Sequence, residues 1–203
     1  MIQDVDRNLA QSFGLDHPRG ALVARVIPDS PAAQSGLQVG DIVLSFNGNE
    51  IRYSSQLPPL VGSTRVGDTV SMEILRNGKT RTLQVKILEL PREESEAGVE
   101  KKAPAARPKG DRLGLVVAAP TAEERRALEL PEGQGVIVRS VRKGAAATAG
   151  IEPGDAILRI DGHPVQGEED YRRLVSVLEA GRNVAVLVQK PGGPVFVALR
   201  ASR

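Results

Sequence analysis

Gly36-Leu37-Gln38-Val39-Gly40-Asp41-Ile42-Val43-Leu44 returns 114 residues later as Gly150-Ile151-Glu152-Pro153-Gly154-Asp155-Ala156-Ile157-Leu158. The glycines, the aspartate and the closing apolar run recur in the same order. Asn47-Gly48 keeps that offset from Asp161-Gly162. Upstream, Gly20-Ala21-Leu22-Val23 answers Gly135-Val136-Ile137-Val138 at an offset of 115. An ordered series of matches at nearly constant offset is the mark of a duplicated domain, and its period is far longer than that of a solenoid repeat. A length of 203 residues suits two domains.

Between the copies, residues 91–111 are charged, contain Pro104 and Pro108, and have almost no large apolar groups. Such a stretch cannot bury enough surface to offset its ordering entropy. It reads as a flexible linker. The layout is therefore a first domain over 1–90, a linker over 91–111 and a second domain over 112–203.

Each half has the same succession of elements. In the first, a strand at 2–5 and a short helix over Asn8–Phe13 precede a strand over Ala21–Ile27. A helical turn follows around Pro31–Gln34, with Gly36 closing it. The apolar, β-branched run Ile42–Phe46 ends at the Asn47-Gly48 turn. A helix over Ser55–Val61 leads to a hairpin, Thr69–Leu75 and Thr80–Ile87, around Asn77-Gly78. Val70, Met72 and Ile74 alternate with Ser71 and Glu73, so one face of that strand is apolar. The second half repeats the plan, with helices near 121–129 and 168–179. Its hairpin, 183–189 and 195–200, turns on Pro191-Gly192-Gly193. The expected fold is α+β and β-rich. Each domain is a five- or six-strand, partly closed antiparallel sheet capped by one or two helices.

Bulk properties exclude several function classes. The 27 basic and 25 acidic residues leave a net charge of +2, without the clustered basic face that phosphate binding needs. There is no cysteine, which removes disulfides and thiolate chemistry. No apolar run approaches the length of a membrane span. No basic-then-apolar leader opens the chain, and Met1 runs directly into a strand, so the chain is expected to be a processed or truncated piece.

The repeated Gly-Leu-x-x-Gly-Asp-x-(Ile/Val)-Leu-x-x-(Asn/Asp)-Gly block resembles the signature of PDZ domains. The strand-first element order resembles the PDZ domains of bacterial proteases. Ala10-Gln11-Ser12-Phe13-Gly14-Leu15 and Leu113-Gly114-Leu115-Val116-Val117-Ala118 are similar to the C-terminal half of the HtrA/Deg family, closest to its two-domain, Do-type periplasmic serine endoproteases. The resemblance spans all but the linker. It implies a trypsin-like domain preceding Met1, a periplasmic location, and regulation or substrate recognition in envelope protein quality control. Its implied partners are unfolded or misfolded envelope proteins and apolar C-terminal peptides, with the fragment itself a monomer.

The recognition chemistry is legible from the residues. An extended peptide can add as a strand to an exposed sheet edge. A terminal carboxylate needs converging backbone N–H donors, which a Gly-containing bend supplies. In the second domain Arg112-Leu113-Gly114-Leu115-Val116-Val117 is similar to such a carboxylate-binding loop and strand. The helix from Glu168 offers Tyr171, Leu174, Val175 and Leu178 at helical spacing for an apolar socket. Core packing is an equal reading for Leu174 and Leu178. Arg112 is open to two readings, a carboxylate partner or a solvated loop charge. In the first domain the strand residues Ile2, Gln3 and Asp4 and the helix residues Leu57, Leu60 and Val61 correspond. The loop residues that would precede Met1 are absent from the sequence, so this domain is expected to bind chain ends poorly. Pro58-Pro59 restrict its helix to a short one.

Catalytic constellations are missing from the 203 residues. Neither Gly-x-Ser-x-Gly nor the Gly-x-Ser-Gly-Gly segment of the resembled proteases occurs. His17 and His163 each precede a proline in a predicted turn, unlike the placed base of a triad. No His pair has metal-ligand spacing, and no cofactor is expected. Asp41 and Asp155 read as turn residues that satisfy local backbone donors. The alternative to a protease's regulatory region is a stand-alone scaffold for envelope or secretion protein assembly.

Overall fold

The computed structural model describes residues 1–88, 111–142 and 144–201, in two compact units divided between Ser95 and Glu96. The expected linker falls outside the described residues apart from Asp111.

The first unit runs β1 (Ile2–Asp4), α1 (Arg7–Phe13), β2 (Ala21–Val23), α2 (Pro31–Gln34), β3 (Ile42–Phe46), β4 (Asn49–Glu50), a 3₁₀ turn (Ser54–Gln56), α3 (Leu57–Ser63), β5 (Thr69–Arg76) and β6 (Lys79–Lys86). The second runs β7 (Leu115–Ala118), α4 (Ala122–Ala127), β8 (Val136–Val141), α5 (Ala145–Thr148), β9 (Ala156–Ile160), β10 (His163–Pro164), α6 (Glu168–Ser176), β11 (Asn183–Lys190) and β12 (Gly193–Arg200). Both sheets are six-stranded and antiparallel, in the orders β1-β2-β3-β5-β6 and β7-β8-β9-β11-β12, with β4 on β3 and β10 on β9. Neither sheet closes. The first strand of each unit, β1 or β7, ends the order.

Local chemistry explains the boundaries. Asn47-Gly48, Asn77-Gly78 and Asp161-Gly162 all have positive φ at both residues, the conformation that two-residue hairpins require. Asp6 caps α1 by accepting from the Leu9 N–H at 2.8 Å, and Gly14 ends it in the left-handed region. Thr121 and Glu124 form a reciprocal capping box on α4. Pro58 and Pro59 lie in the first turn of α3, where their missing N–H groups cost nothing, and the helix is seven residues long.

Several boundaries differ from the sequence reading: the helices expected over 168–179, 121–129 and Ser55–Val61 are Glu168–Ser176, Ala122–Ala127 and Leu57–Ser63, and two strand boundaries shift for a visible local reason. β2 stops at Val23 rather than Ile27, because Ala24 and Arg25 turn their N–H groups to the Met1 carbonyl. Ile27 is left exposed. The final hairpin turns on Pro191-Gly192 alone, since Gly193 already pairs with Lys190.

The cores are aliphatic. In the first unit Val70, Met72 and Ile74 face inward with Phe46, Ile51 and Val85. Ser71 and Glu73 face outward. In the second, Val136, Ile157, Ile160, Tyr171, Val186 and Leu199 belong to one buried core cluster.

The repeated aspartates are frame elements. Asp41 is 1% exposed and Asp155 5%. Each accepts from the N–H three residues earlier, Gln38 at 2.7 Å and Glu152 at 2.9 Å. Each also binds a cation on the facing strand. Arg76 grips Asp41 through Nε and Nη2, both at 2.6 Å, and Lys190 reaches Asp155 at 2.8 Å. The bond to Asp41 raises the pKa of the Arg76 guanidinium. His17 and His163 are exposed.

Candidate functional site: a sheet edge beside a helix

In the second unit the edge strand β7 pairs only with β8. An edge strand leaves one row of N–H and C=O groups without a strand partner. Helix α6 lies alongside, tied to the strand segment at both ends. At one end the Ala119 N–H donates to Glu168 Oε1 at 2.9 Å. At the other, Arg112 Nη1 donates to the Leu178 carbonyl at 3.0 Å and to that of Ser176 at 3.4 Å. Arg112 therefore sits on the last carbonyls of α6, where a cation is favoured. That position was neither of the two readings open from the sequence.

The apolar candidates separate into two groups. Leu113, Leu115, Tyr171, Val175 and Leu178 are buried in the core. Val117 and Leu174 are half-buried against it, and Val116 is also half-exposed. Core packing thus claims Leu178, while Leu174 stays half-buried. Val177, absent from the sequence reading, is 72% exposed at the end of α6.

The loop before β7 is organised by a residue that sequence reasoning had left in the linker. Asp111 Oδ1 accepts from the Leu113 N–H at 2.8 Å and the Leu115 N–H at 3.1 Å. Its main-chain carbonyl accepts from the Gly114 N–H at 3.0 Å. Its Oδ2 accepts from the Tyr171 hydroxyl at 2.5 Å. Gly114 holds a φ of +78°, which lets three successive N–H groups turn toward one residue. Burial first, and then the charge and hydrogen bond of Asp111, push the Tyr171 phenol well above its ordinary pKa, so it stays a donor. The signal for this was present in the sequence, as an Asp two residues ahead of a Leu-Gly-Leu bend is an Asx-turn former.

The first unit repeats the frame. β1 is the edge; Ile2 on that strand and Leu60 and Val61 on α3 are half-buried against the core. Leu57 is buried, Gln3 half-buried and Asp4 exposed. Asp4 Oδ1 accepts from the Ser54 N–H at 2.6 Å, tying the strand to the start of the helical segment.

A PDZ-domain family profile matches residues 3–87, and a second PDZ-domain profile matches residues 136–190. Both units are PDZ domains. The chain is 39% identical over 200 residues to a protein named probable periplasmic serine endoprotease DegP-like from Pseudomonas putida (strain GB-1), covering 98% of this chain and 41% of that one. A protein of the same name from Hahella chejuensis (strain KCTC 2396) is 41% identical over 202 residues, 98% of this chain and 42% of that one. The chain thus spans 41–42% of the length of these curated relatives. A solved structure described as HtrA-type protease AlgW with decapeptide is 33% identical over 45% of this chain and 28% of that chain, with a TM-score of 0.42.

Of the residues singled out from the sequence, Val116, Val117 and Leu174 in one PDZ domain and Ile2, Gln3, Leu60 and Val61 in the other are half-buried, whereas Leu57, Leu113, Leu115, Tyr171, Val175 and Leu178 belong to the cores. Among the described residues no cluster of three or more His, Asp or Glu side chains could hold a metal, and no helix is long and apolar enough to cross a membrane.

Proposed function

We propose that the two PDZ domains are the peptide-recognising and regulatory region of a periplasmic HtrA-like serine endoprotease acting in envelope protein quality control. The observation that carries this reading is the open edge strand in each domain, set beside a helix with half-buried apolar side chains. An extended apolar segment of a misfolded envelope protein, chain ends included, adds to β1 or β7 by main-chain bonds. Each such bond contributes about 1 kcal/mol net. Leu174 and Val117, or Leu60, Val61 and Ile2, receive its side chains, at about 1.5–3 kcal/mol for a fully buried Leu or Val. Together these suit a micromolar Kd, about −8 kcal/mol.

Proteolysis belongs to the part of the relatives that this chain does not span, and the periplasmic location follows from their names. The first domain covers residues 1–90. The second is best begun at Asp111, because that residue holds its loop. Two domains carried on one chain raise the effective concentration for a second contact on one substrate.

Titration of the full chain with a short peptide ending in an apolar residue, followed by NMR amide shifts, tests the proposal. Saturable shifts are expected along Val116–Ala118 and along α6. If neither β1 nor β7 responds to any extended apolar peptide, the recognition reading is wrong.

A further inference from the structure

Resting on that peptide-binding reading, we infer that Asp111 is a specificity-determining residue: it fills its own domain's carboxylate-binding loop, so the second domain recognises extended segments without regard to a free C-terminal carboxylate. A loop that reads a chain end does so with converging N–H donors. Here the N–H groups of Leu113 and Leu115 both meet Asp111 Oδ1, and that of Gly114 meets the Asp111 carbonyl. The donors of three successive residues are thus spent on one residue of the same chain.

The other carboxylate oxygen is fixed as well, by the hydroxyl of Tyr171, which is 1% exposed. Asp111 is therefore held from the loop side and from the core side, and the loop closes on it through the Asp111 N–H to the Leu115 carbonyl at 3.2 Å. Arg112, the next residue along the chain, is turned onto the end of α6. An incoming carboxylate would have to displace a like charge from its donors, and repulsion between two carboxylates opposes that exchange. The strand edge of β7 carries no such block. Its main-chain groups are available to an internal segment or a chain end alike.

The test compares one peptide as free acid and as amide, titrated into the full chain and read at the amides of Val116–Ala118. In the wild type the two forms are expected to bind within about threefold of each other. In Asp111→Ala the free acid is expected to bind about tenfold more tightly than the amide, a difference of about 1.4 kcal/mol, with shifts spreading to Leu113, Gly114 and Leu115. Asp111→Asn keeps a side-chain oxygen for the same donors and should hold the ratio near one.

A wild-type preference for the free acid above about threefold overturns the inference while leaving peptide recognition intact. So does an Asn variant that behaves like the Ala variant, since charge rather than occupied donors would then be the cause. If Asp111→Ala loosens the loop, the wild-type ratio and the Asn variant decide. Failure of both peptide forms to bind β7 in every variant removes the recognition reading, and this inference with it.

Discussion

The two PDZ domains share a backbone plan and satisfy it with different side chains. In the first, Asp4 on the strand side accepts from the Ser54 N–H at the helix start; in the second, Glu168 on the helix accepts from the Ala119 N–H after the strand. The same tie is made with donor and acceptor exchanged. Helix α1 docks by burying Leu9 and Ala10. Helix α4 buries no residue and is instead joined to β8 through Glu124 and Arg139, whose Nη2 lies 3.0 Å from Glu124 Oε2. Leu57 stands where Tyr171 stands, buried in both cases, but only the tyrosine carries a hydroxyl to hold a loop. What this teaches is that the fold fixes where main-chain donors need a partner. It does not fix which residue supplies that partner.

The largest contrast should appear at the paired aspartates. Asp41→Ala leaves the Arg76 guanidinium, 16% exposed, without a carboxylate, and should cost the first domain about 3–4 kcal/mol. Lys190 is 30% exposed and can turn to water, so Asp155→Ala should cost the second domain about 2 kcal/mol. Residue-resolved hydrogen exchange on the full chain separates the two. Equal losses would mean that the bidentate geometry adds nothing.

Gly20 and Gly135 sharpen the comparison next. Both have positive φ. A Cβ on Gly20 would meet Ile42 Cγ2 at 2.5 Å and the Val43 carbonyl at 2.8 Å, whereas one on Gly135 would meet Leu158 Cδ2 at 3.0 Å. Backbone cannot yield as a leucine tip can. Gly20→Ala is expected to cost about 2–3 kcal/mol and Gly135→Ala about 1 kcal/mol, measured by urea unfolding with domain-resolved amide signals. A reversed order would show that the crowding around Gly20 relaxes freely.

Tyr171→Phe removes the hydroxyl while keeping the ring that fills the core. A loss of about 1–2 kcal/mol is expected, confined to the second domain, with faster amide exchange at Leu113 and Leu115. Unchanged exchange there would show that Asp111 stays in place without its phenol. The smallest effect concerns Glu124. Burial opposes its ionisation, but hydrogen bonds from Arg139 and Thr121 outweigh that and hold its pKa below the ordinary 4.5. Because the folded value is the lower one, the stability it contributes is present above about pH 4.5 and is lost as pH falls through the folded value. At pH 7 Glu124→Gln should cost about 0.5 kcal/mol, and at pH 3 the difference from wild type should shrink. A difference that holds at pH 3 would place the stabilisation in shape rather than charge.

The sequence by itself determined the duplication, the strand-first order, the hairpin turns and the two edge strands with their helices. Those features rest on local rules. Asn-Gly and Asp-Gly adopt positive φ, two-residue alternation marks a half-buried strand, and a proline pair suits only a helix's first turn. Only the tertiary structure decided which of the apolar residues in and after α6 are core and which stay half-buried. Tyr171, Leu174, Val175 and Leu178 recur at helical spacing in the sequence, yet the helix ends at Ser176, and Tyr171, Val175 and Leu178 are buried where Leu174 is only half-buried. Likewise, Arg112 reaching the carbonyls of Ser176 and Leu178, and Asp111 meeting the Tyr171 hydroxyl, join residues about 60 positions apart. Composition placed Asp111 at the end of a linker, because composition records charge and not the donors that a bend turns toward it.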